Sequence, residues 1–261
     1  VIKCNMRAKK SLGQNFLKSE PALRKIIEAG EIKPDDVILE IGPGKGKLTE
    51  KLLGKTGSLI AVEKDRELFE FLKIKFAKEI NAGPLVLVRA DILDFDASAQ
   101  GLKPRAFKVI ANIPYNITGA ILKKFLTAKN QPERMVLMVQ HEVAQRILGG
   151  KESLLSISVK AYGEPKILMK VPARYFAPQP AVDSAVIVIK NISRKFFTEN
   201  KLDEEKFWQI VKAGFAHKRK KLSSNLKNII SIENQTGREL GNKRAEDLSL
   251  AEWAEIAKNN D

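Results

Sequence analysis

Val37-Ile38-Leu39-Glu40-Ile41-Gly42-Pro43-Gly44-Lys45-Gly46 is the stretch that decides the fold. Its first half is an apolar run broken by one acid, which reads as a strand. Three glycines at alternate positions follow, and a helical pattern begins near Leu48. Glycines so placed let the backbone turn sharply and approach a ligand with no Cβ atom in the way. The Gly-x-Gly-x-Gly spacing is not the Gly-x-Gly-x-x-Gly of nicotinamide and flavin binders, and no glycine stands where a P-loop needs one.

Downstream, the same strand-then-polar-residue theme repeats. Leu59-Ile60-Ala61-Val62 is a second strand closed by Glu63. An acid there, in a Rossmann-like sheet, accepts from both ribose hydroxyls of a nucleoside. A third strand, Leu85 to Val88, leads to Asp91, placed to meet an adenine edge. A fourth, Phe107 to Ala111, leads to Asn112-Ile113-Pro114-Tyr115. Strands alternating with helical patterns to about residue 140 imply a parallel sheet with crossover helices, a Rossmann-like α/β fold. Ligands of such sheets bind at the carboxyl ends of the strands, so the glycine turn, Glu63, Asp91 and Asn112 are expected together. The competing reading of Glu63 and Asp91 is as helix caps.

Asn112 to Tyr115 suits a flat ring bearing an amino group. The amide oxygen and nearby carbonyls can accept from an exocyclic NH2, Pro114 fixes φ and keeps those carbonyls aimed, and Tyr115 offers a stacking face. The plainer alternative is a proline turn that packs a tyrosine.

Glu40-Ile-Gly42-Pro-Gly44-Lys-Gly46, Glu63, Asp91 and Asn112-Ile-Pro-Tyr115 resemble the motifs of S-adenosylmethionine-dependent methyltransferases acting on adenine N6. Lys9-Lys10-Ser11-Leu12-Gly13-Gln14-Asn15-Phe16-Leu17 resembles the opening of the ribosomal RNA adenine dimethyltransferases. Phe176-Ala-Pro178-Gln-Pro180-Ala-Val182-Asp183-Ser184 is similar to that family's second aromatic loop, and Gly214 to Leu222 to the basic helix of its bacterial small-subunit, kasugamycin-sensitivity branch. The resemblance runs in order from about Lys9 to about Leu226. Leu12-Gly13, Pro43 and Lys218-Arg219-Lys220-Lys221 favour that branch over the macrolide-resistance branch acting on large-subunit rRNA.

The resemblance implies S-adenosylmethionine as cofactor. It places Asn15 and Leu17 over the methionine end, Gly42 and Gly44 beside it, Glu63 on the ribose, and Asp91 and Ile92 on the adenine, with Asn112 shared by both ligands. It makes Asn112, Ile113, Pro114, Tyr115 and Phe176 the catalytic loop residues, Phe176 closing on the second face of the base; ordinary core packing is the alternative for Phe176. The implied reaction is N6,N6-dimethylation of two adjacent adenosines in a hairpin loop near the 3′ end of small-subunit rRNA, on an immature small ribosomal subunit. A mainly non-catalytic assembly role is the alternative within the family. Enzymes acting on DNA adenine or a protein glutamine amide commonly carry a second proline where Ile113 stands.

Composition agrees. The chain has 261 residues, 44% of them hydrophobic, and a formal net charge of +15, which favours a polyanionic partner. Lys3, Arg7, Lys9 and Lys10 form one basic cluster and Lys218, Arg219, Lys220 and Lys221, with Lys227, another; both are candidate phosphate contacts, although a basic run is often only a solvated face. The one cysteine, Cys4, excludes an internal disulfide and a cysteine-cluster zinc site. No metal-ligand spacing, signal peptide or membrane-length apolar run is read, so a cytoplasmic monomer without metal is expected.

Ser19 and Pro21 open a helix over Glu20 to Ala29. Arg134 to Gln140 is a fifth strand. Lys166 to Val171 and Ala185 to Lys190 read as a hairpin-like pair at the sheet edge. After that, charged amphipathic helices take over. The division is therefore a Rossmann-like methyltransferase domain over 1–191 and a small helical RNA-binding domain over 192–261.

Overall fold

A computed structural model describes residues 8–229 and 239–258. In chain order the strands are β1 (Phe16–Leu17), β2 (Val37–Ile41), β3 (Ser58–Glu63), β4 (Leu85–Arg89), β5 (Phe107–Asn112), β6 (Arg134–Gln140), β7 (Glu164–Val171), β8 (Phe176–Ala177) and β9 (Ser184–Lys190). The helices are α1 (Glu20–Gly30), α2 (Lys47–Leu53), α3 (Arg66–Lys75), α4 (Ala77–Ala82), α5 (Thr118–Thr127), α6 (His141–Leu148), α7 (Leu154–Lys160), α8 (Lys195–Asn200), α9 (Glu204–Gly214), α10 (Leu222–Leu226) and, near the end, α11 (Leu250–Lys258).

Seven strands form one sheet in the order β4-β3-β2-β5-β6-β9-β7. The first five are parallel, and β9 and β7 join antiparallel. This is a Rossmann-like α/β sheet. β2 and β6 are buried along almost their whole length, as strands covered by helices on both faces must be. The expected pair of late strands forms, with β7 at the edge and β9 inserted against β6. Ser19 caps α1 by accepting from the Ala22 N–H, and Pro21 sits in the first turn, as the sequence requires.

The chain reverses direction across the sheet at β2. From β2 it steps outward to β3 and β4, then returns to place β5 on the other side. The pairing of β2 with β5 covers only Val37–Leu39 against Phe107–Val109. Beyond that the two strands part, and the crevice opens where the glycine turn and Asn112 emerge. A topological switch point of this kind is where open α/β sheets bind ligands.

The chain forms two compact units, 1–144 with 164–192, and 145–163 with 193–261. The boundary expected after residue 191 falls beside the second crossing, but 145–163 groups with the helical unit. The reason is aromatic packing: Tyr162 lies 5.3 Å from Phe197 and stacks on Trp208, while its hydroxyl donates to Glu204 and accepts from Trp208 Nε1. Phe196, Phe197 and Phe207 complete that core through edge-on contacts. In the same unit Trp253 is fully buried and stacks on Phe215.

The basic run is not helical. α9 ends at Gly214, Phe215 turns in against Trp253, and residues 216–221 form an exposed turn before α10. The Asn225 amide donates to the Gly214 and His217 carbonyls and stabilises that reversal. Lys218, Arg219, Lys220 and Lys221 are therefore displayed on a turn between two helices instead of along one helical face. Lys3 and Arg7 of the other cluster, and Cys4, lie outside the described residues, as does the side chain of Lys10. Among the described residues no helix is long and apolar enough to cross a membrane.

Candidate functional site

A cavity of about 390 Å³ lies at the carboxyl edge of the sheet in the first unit. Asn15, Leu17, Gly42, Gly44, Glu63, Asp91, Ile92, Asn112, Ile113, Pro114 and Tyr115 all line it. The structure thus brings together every cofactor-site residue expected from sequence, and the whole Asn-Ile-Pro-Tyr loop.

The glycine turn is shaped by positive φ. Gly42 has φ 63° and nothing within 4 Å of the position a Cβ would take, so a side chain there would fill open cavity. Glu63 organises the next wall. Its Oε2 accepts from the Gly44 N–H at 3.1 Å and its Oε1 from the Asp65 N–H at 2.8 Å. It is nearly buried, and that burial pushes its carboxyl pKa up against the pull of those two backbone donors. Each oxygen retains a lone pair that can accept from a ligand hydroxyl. Glu63 caps no helix; Asp65 does, accepting from the Glu67 and Leu68 N–H groups at the start of α3.

Asp91 holds a tight turn, with Oδ1 accepting from the Leu93 N–H at 2.9 Å. Its Oδ2 pairs with the Lys64 ammonium at 2.6 Å. Lys64 first, then the Leu93 N–H, keep this carboxyl below its ordinary range. Oδ1 keeps a second lone pair for a ligand donor, while a donor to Oδ2 shares that oxygen with Lys64.

Glu40 was not singled out by sequence as a site residue, yet it lines the cavity from the middle of β2 and is 1% exposed. The Thr49 hydroxyl approaches it, but Glu40 Oε2 and Thr49 Oγ1 both lack a partner in hydrogen-bonding geometry. Desolvation raises its pKa to about 8, with Thr49 and the charges of Glu63 and Lys75 acting less strongly. The folded state therefore holds a proton that the unfolded chain releases near pH 4.5. Stability from this group is present at low pH and lost as pH rises towards about 8. Calorimetric unfolding should show stability falling across that window by up to about 1.4 kcal/mol per pH unit, the limit for one proton. Glu40→Gln should flatten the slope; an unchanged slope would place the proton elsewhere.

The Asn112 amide is oriented. Its Nδ2 donates to the Asn15 main-chain carbonyl at 3.1 Å, which leaves Oδ1 as the acceptor. Tyr115 binds Ser184 Oγ through its hydroxyl at 2.5 Å, and burial pushes the phenol pKa up. Its ring is thereby fixed and neutral.

Phe176 is placed elsewhere. It is 2% exposed, pairs with Leu17 across the β1–β8 ribbon, and packs within the hydrophobic core; its neighbour Ala177 reaches the cavity wall. The expected stacking on a target base is not available from this position, because the ring's apolar surface is already covered by the core. Sequence reasoning also passed over Gln14, Phe16 and Asp65. Phe16 packs on Gly44, with the Lys45 ammonium 4.9 Å from its ring centre. Among the described residues no group of three or more His, Cys, Asp or Glu side chains is placed to hold a metal ion.

The chain as a whole is similar to known proteins. The chain is 40% identical over 261 residues to ribosomal RNA small subunit methyltransferase A of Dehalococcoides mccartyi strain CBDB1, covering 96% of this chain and 88% of that one. The crystal structure of a dimethyladenosine transferase from Plasmodium falciparum shares the fold with a TM-score of 0.77 at 24% identity, over 94% and 96% of the two chains. That of the 23S rRNA methyltransferase ErmE does so with a TM-score of 0.76 at 25% identity, over 94% and 99%. The sequence model of one family, described as ribosomal RNA adenine dimethylase, matches residues 5–261. Since that match takes in both compact units, the chain belongs to the ribosomal RNA adenine dimethylase family.

Proposed function

We propose that this enzyme transfers methyl groups from S-adenosylmethionine to N6 of two adjacent adenosines in a hairpin loop near the 3′ end of small-subunit rRNA, giving N6,N6-dimethyladenosine on an immature small subunit in the cytoplasm. The observation that carries the chemistry is the oriented Asn112 amide at the cavity wall. The choice of small-subunit RNA is supported by the 40% identical relative of that name.

The residues fit the cofactor. Gly42 leaves room for its methionine end, Glu63 offers acceptors to the ribose, and Glu40 Oε2 is a buried oxygen without a partner on the same wall. When bound, the cofactor supplies an electrophilic methyl group on a sulfonium. What the protein must supply is alignment and a localised lone pair on N6, which is otherwise delocalised into the adenine ring. Asn112 Oδ1 and the Ile113 carbonyl accept the two N6 hydrogens, favour a pyramidal nitrogen and aim its lone pair at the methyl group. Such positioning and preorganised electrostatics are the usual large terms in catalysis. Tyr115 stacks on the base once it leaves its neighbours in the RNA. The loop holds no evident general base, so the proton leaves to solvent after transfer. For the second methylation the pocket must accept one methyl in place of a hydrogen.

Affinity for RNA is assigned to phosphate contacts, with Lys9, Lys10 and the turn Lys218–Lys221 as the candidates. Replacing Lys218, Arg219, Lys220 and Lys221 together by alanine should weaken binding to the small subunit. The log–log salt slope should become shallower by up to about one unit for each phosphate that is no longer neutralised. Cofactor affinity should not change. Binding with an unaltered slope would show that the turn is only solvated.

The decisive test of the function is transfer of radiolabelled methyl groups to immature small subunits, with nucleoside analysis. Dimethyladenosine in small-subunit rRNA supports the reading. Label only in large-subunit RNA would move the chain to the other branch.

A further inference from the structure

We propose that Gln14 is a positioning residue for methyl transfer: by bonding Asp65 it pins residues 13–16 along the cavity, so that the Asn15 carbonyl holds the Asn112 amide with Oδ1 free for the target nitrogen. The proposal rests on the reading of Asn112 as the acceptor for N6.

Four consecutive residues touch four different parts of the site. A Cβ on Gly13, whose φ is 63°, would lie 3.0 Å from Asn116 Oδ1 and 3.4 Å from Pro114 Cβ, so this segment runs directly against the catalytic loop. Gln14 Nε2 donates to Asp65 Oδ2 at 3.1 Å, and Gln14 Oε1 accepts from the Lys9 N–H at 2.8 Å. The Asn15 carbonyl accepts from Asn112 Nδ2. Phe16 packs on Gly44. The residues joined this way are 51 positions apart for Gln14–Asp65 and 97 for Asn15–Asn112.

The anchor is rigid. Asp65 caps α3 through Oδ1, and its own N–H holds Glu63 Oε1. Gln14 therefore grips the piece of structure that carries the ribose-facing acid, and its neighbour Asn15 grips the catalytic amide. Lys9 also pairs with the same Asp65 oxygen, at 2.9 Å; the Asp65 side chain is 2% exposed, but the lysine side chain is 40% exposed and its long flexible stem holds the segment less tightly than the amide does. The Phe16 contact is apolar and cannot choose between the two faces of an amide. Without a firmly placed Asn15 carbonyl, the Asn112 amide can rotate by half a turn and present NH2 to a substrate NH2, where donor meets donor.

The test is a reversed hydrogen bond. In Gln14→Glu a carboxylate faces the Asp65 carboxylate; in Asp65→Asn, with the α3 cap preserved by the amide oxygen, NH2 faces NH2. In the double variant Gln14→Glu/Asp65→Asn the bond forms again with donor and acceptor exchanged, and the acceptor for the Lys9 N–H is retained. Two quantities are read. One is the single-turnover rate at saturating S-adenosylmethionine and immature small subunits. The other, measured on the free protein, is the ¹⁵N side-chain amide signal of Asn112, assigned by its loss in Asn112→Ala.

Gln14→Ala and each single polar variant should slow the saturated rate about tenfold or more and shift the Asn112 amide protons towards solvent-like values. The double variant should recover both, to within about twofold in rate. If Gln14→Ala weakens only the affinity for S-adenosylhomocysteine, with rate and amide signal unchanged, the segment is merely a cofactor lid and the proposal fails. It also fails if a double variant as stable as the wild type recovers neither quantity. Should Gln14→Ala not fold, the swap decides alone. A wild-type enzyme that does not methylate small-subunit RNA would reject the functional reading instead, and the Asn112 amide signal would still judge the positioning.

Discussion

Asn112→Ala lowers the rate of methyl transfer about 100- to 1,000-fold at saturating cofactor and RNA, the scale found when one preorganised polar contact to a reacting centre is removed. The amide oxygen matters most as N6 becomes pyramidal, so its loss falls on kcat much more than on RNA affinity. The loop around it should survive. Ile113 is buried, and Tyr115 is held independently through Ser184. Single-turnover kinetics beside an RNA-binding isotherm checks this, and a loss of affinity with the saturated rate unchanged would mean that Asn112 only helps to bind RNA. Tyr115→Ala should also be slow, because the stacking face is gone. Tyr115→Phe keeps the face and loses the bond to Ser184, at a cost of about 1 kcal/mol in stability, with most of the activity retained. An essential hydroxyl would replace stacking with an acid–base role.

Glu63→Ala should weaken S-adenosylmethionine binding by about 1.5–3 kcal/mol, the range for hydrogen bonds to a charged group. The structure adds a second reason for a large effect. Glu63 also accepts from the Gly44 and Asp65 N–H groups, so alanine leaves two buried donors unpaired and loosens the glycine turn itself. Glu63→Gln separates the two contributions. Its remaining oxygen can keep one backbone partner, but its NH2 opposes the other, so an intermediate loss is expected in titration calorimetry. Binding of the small subunit should change little in either variant. Unchanged cofactor affinity in Glu63→Ala would remove Glu63 from the cofactor site.

Much of the site was legible because it is built by repetition of one local rule. Each parallel strand ends at the same edge, so the residues at its end or shortly after it meet the same crevice; Glu63, Asp91 and Asn112 could be placed together from strand ends alone. Phe176 shows where that rule stops. Its flanking motif reads as part of the active site, but whether the ring faces a cavity or the core depends on the pairing of β8 with β1, two short strands far apart in sequence. The basic run is a second case. Consecutive Lys and Arg residues have good helix propensity, yet the helix stops at Gly214 and the Asn225 amide, 11 residues on, holds the turn that follows through the Gly214 and His217 carbonyls.

The sequence by itself determined the parallel sheet, the glycine turn, the set of polar residues at its edge and the resemblance to a family. These follow from periodicity, chain order and short-range spacing. Only the tertiary structure decided that Gln14 and Asn15 lie between Asp65 and the Asn112 amide, that the oxygen of that amide is the free end, that 145–163 groups with the helical unit, and that Glu40 is buried deeply enough to keep its proton near neutral pH. The physical reason is shared by all four. Amide orientation, desolvation and side-chain burial depend on what approaches from distant parts of the chain, and no local pattern of residues encodes that approach.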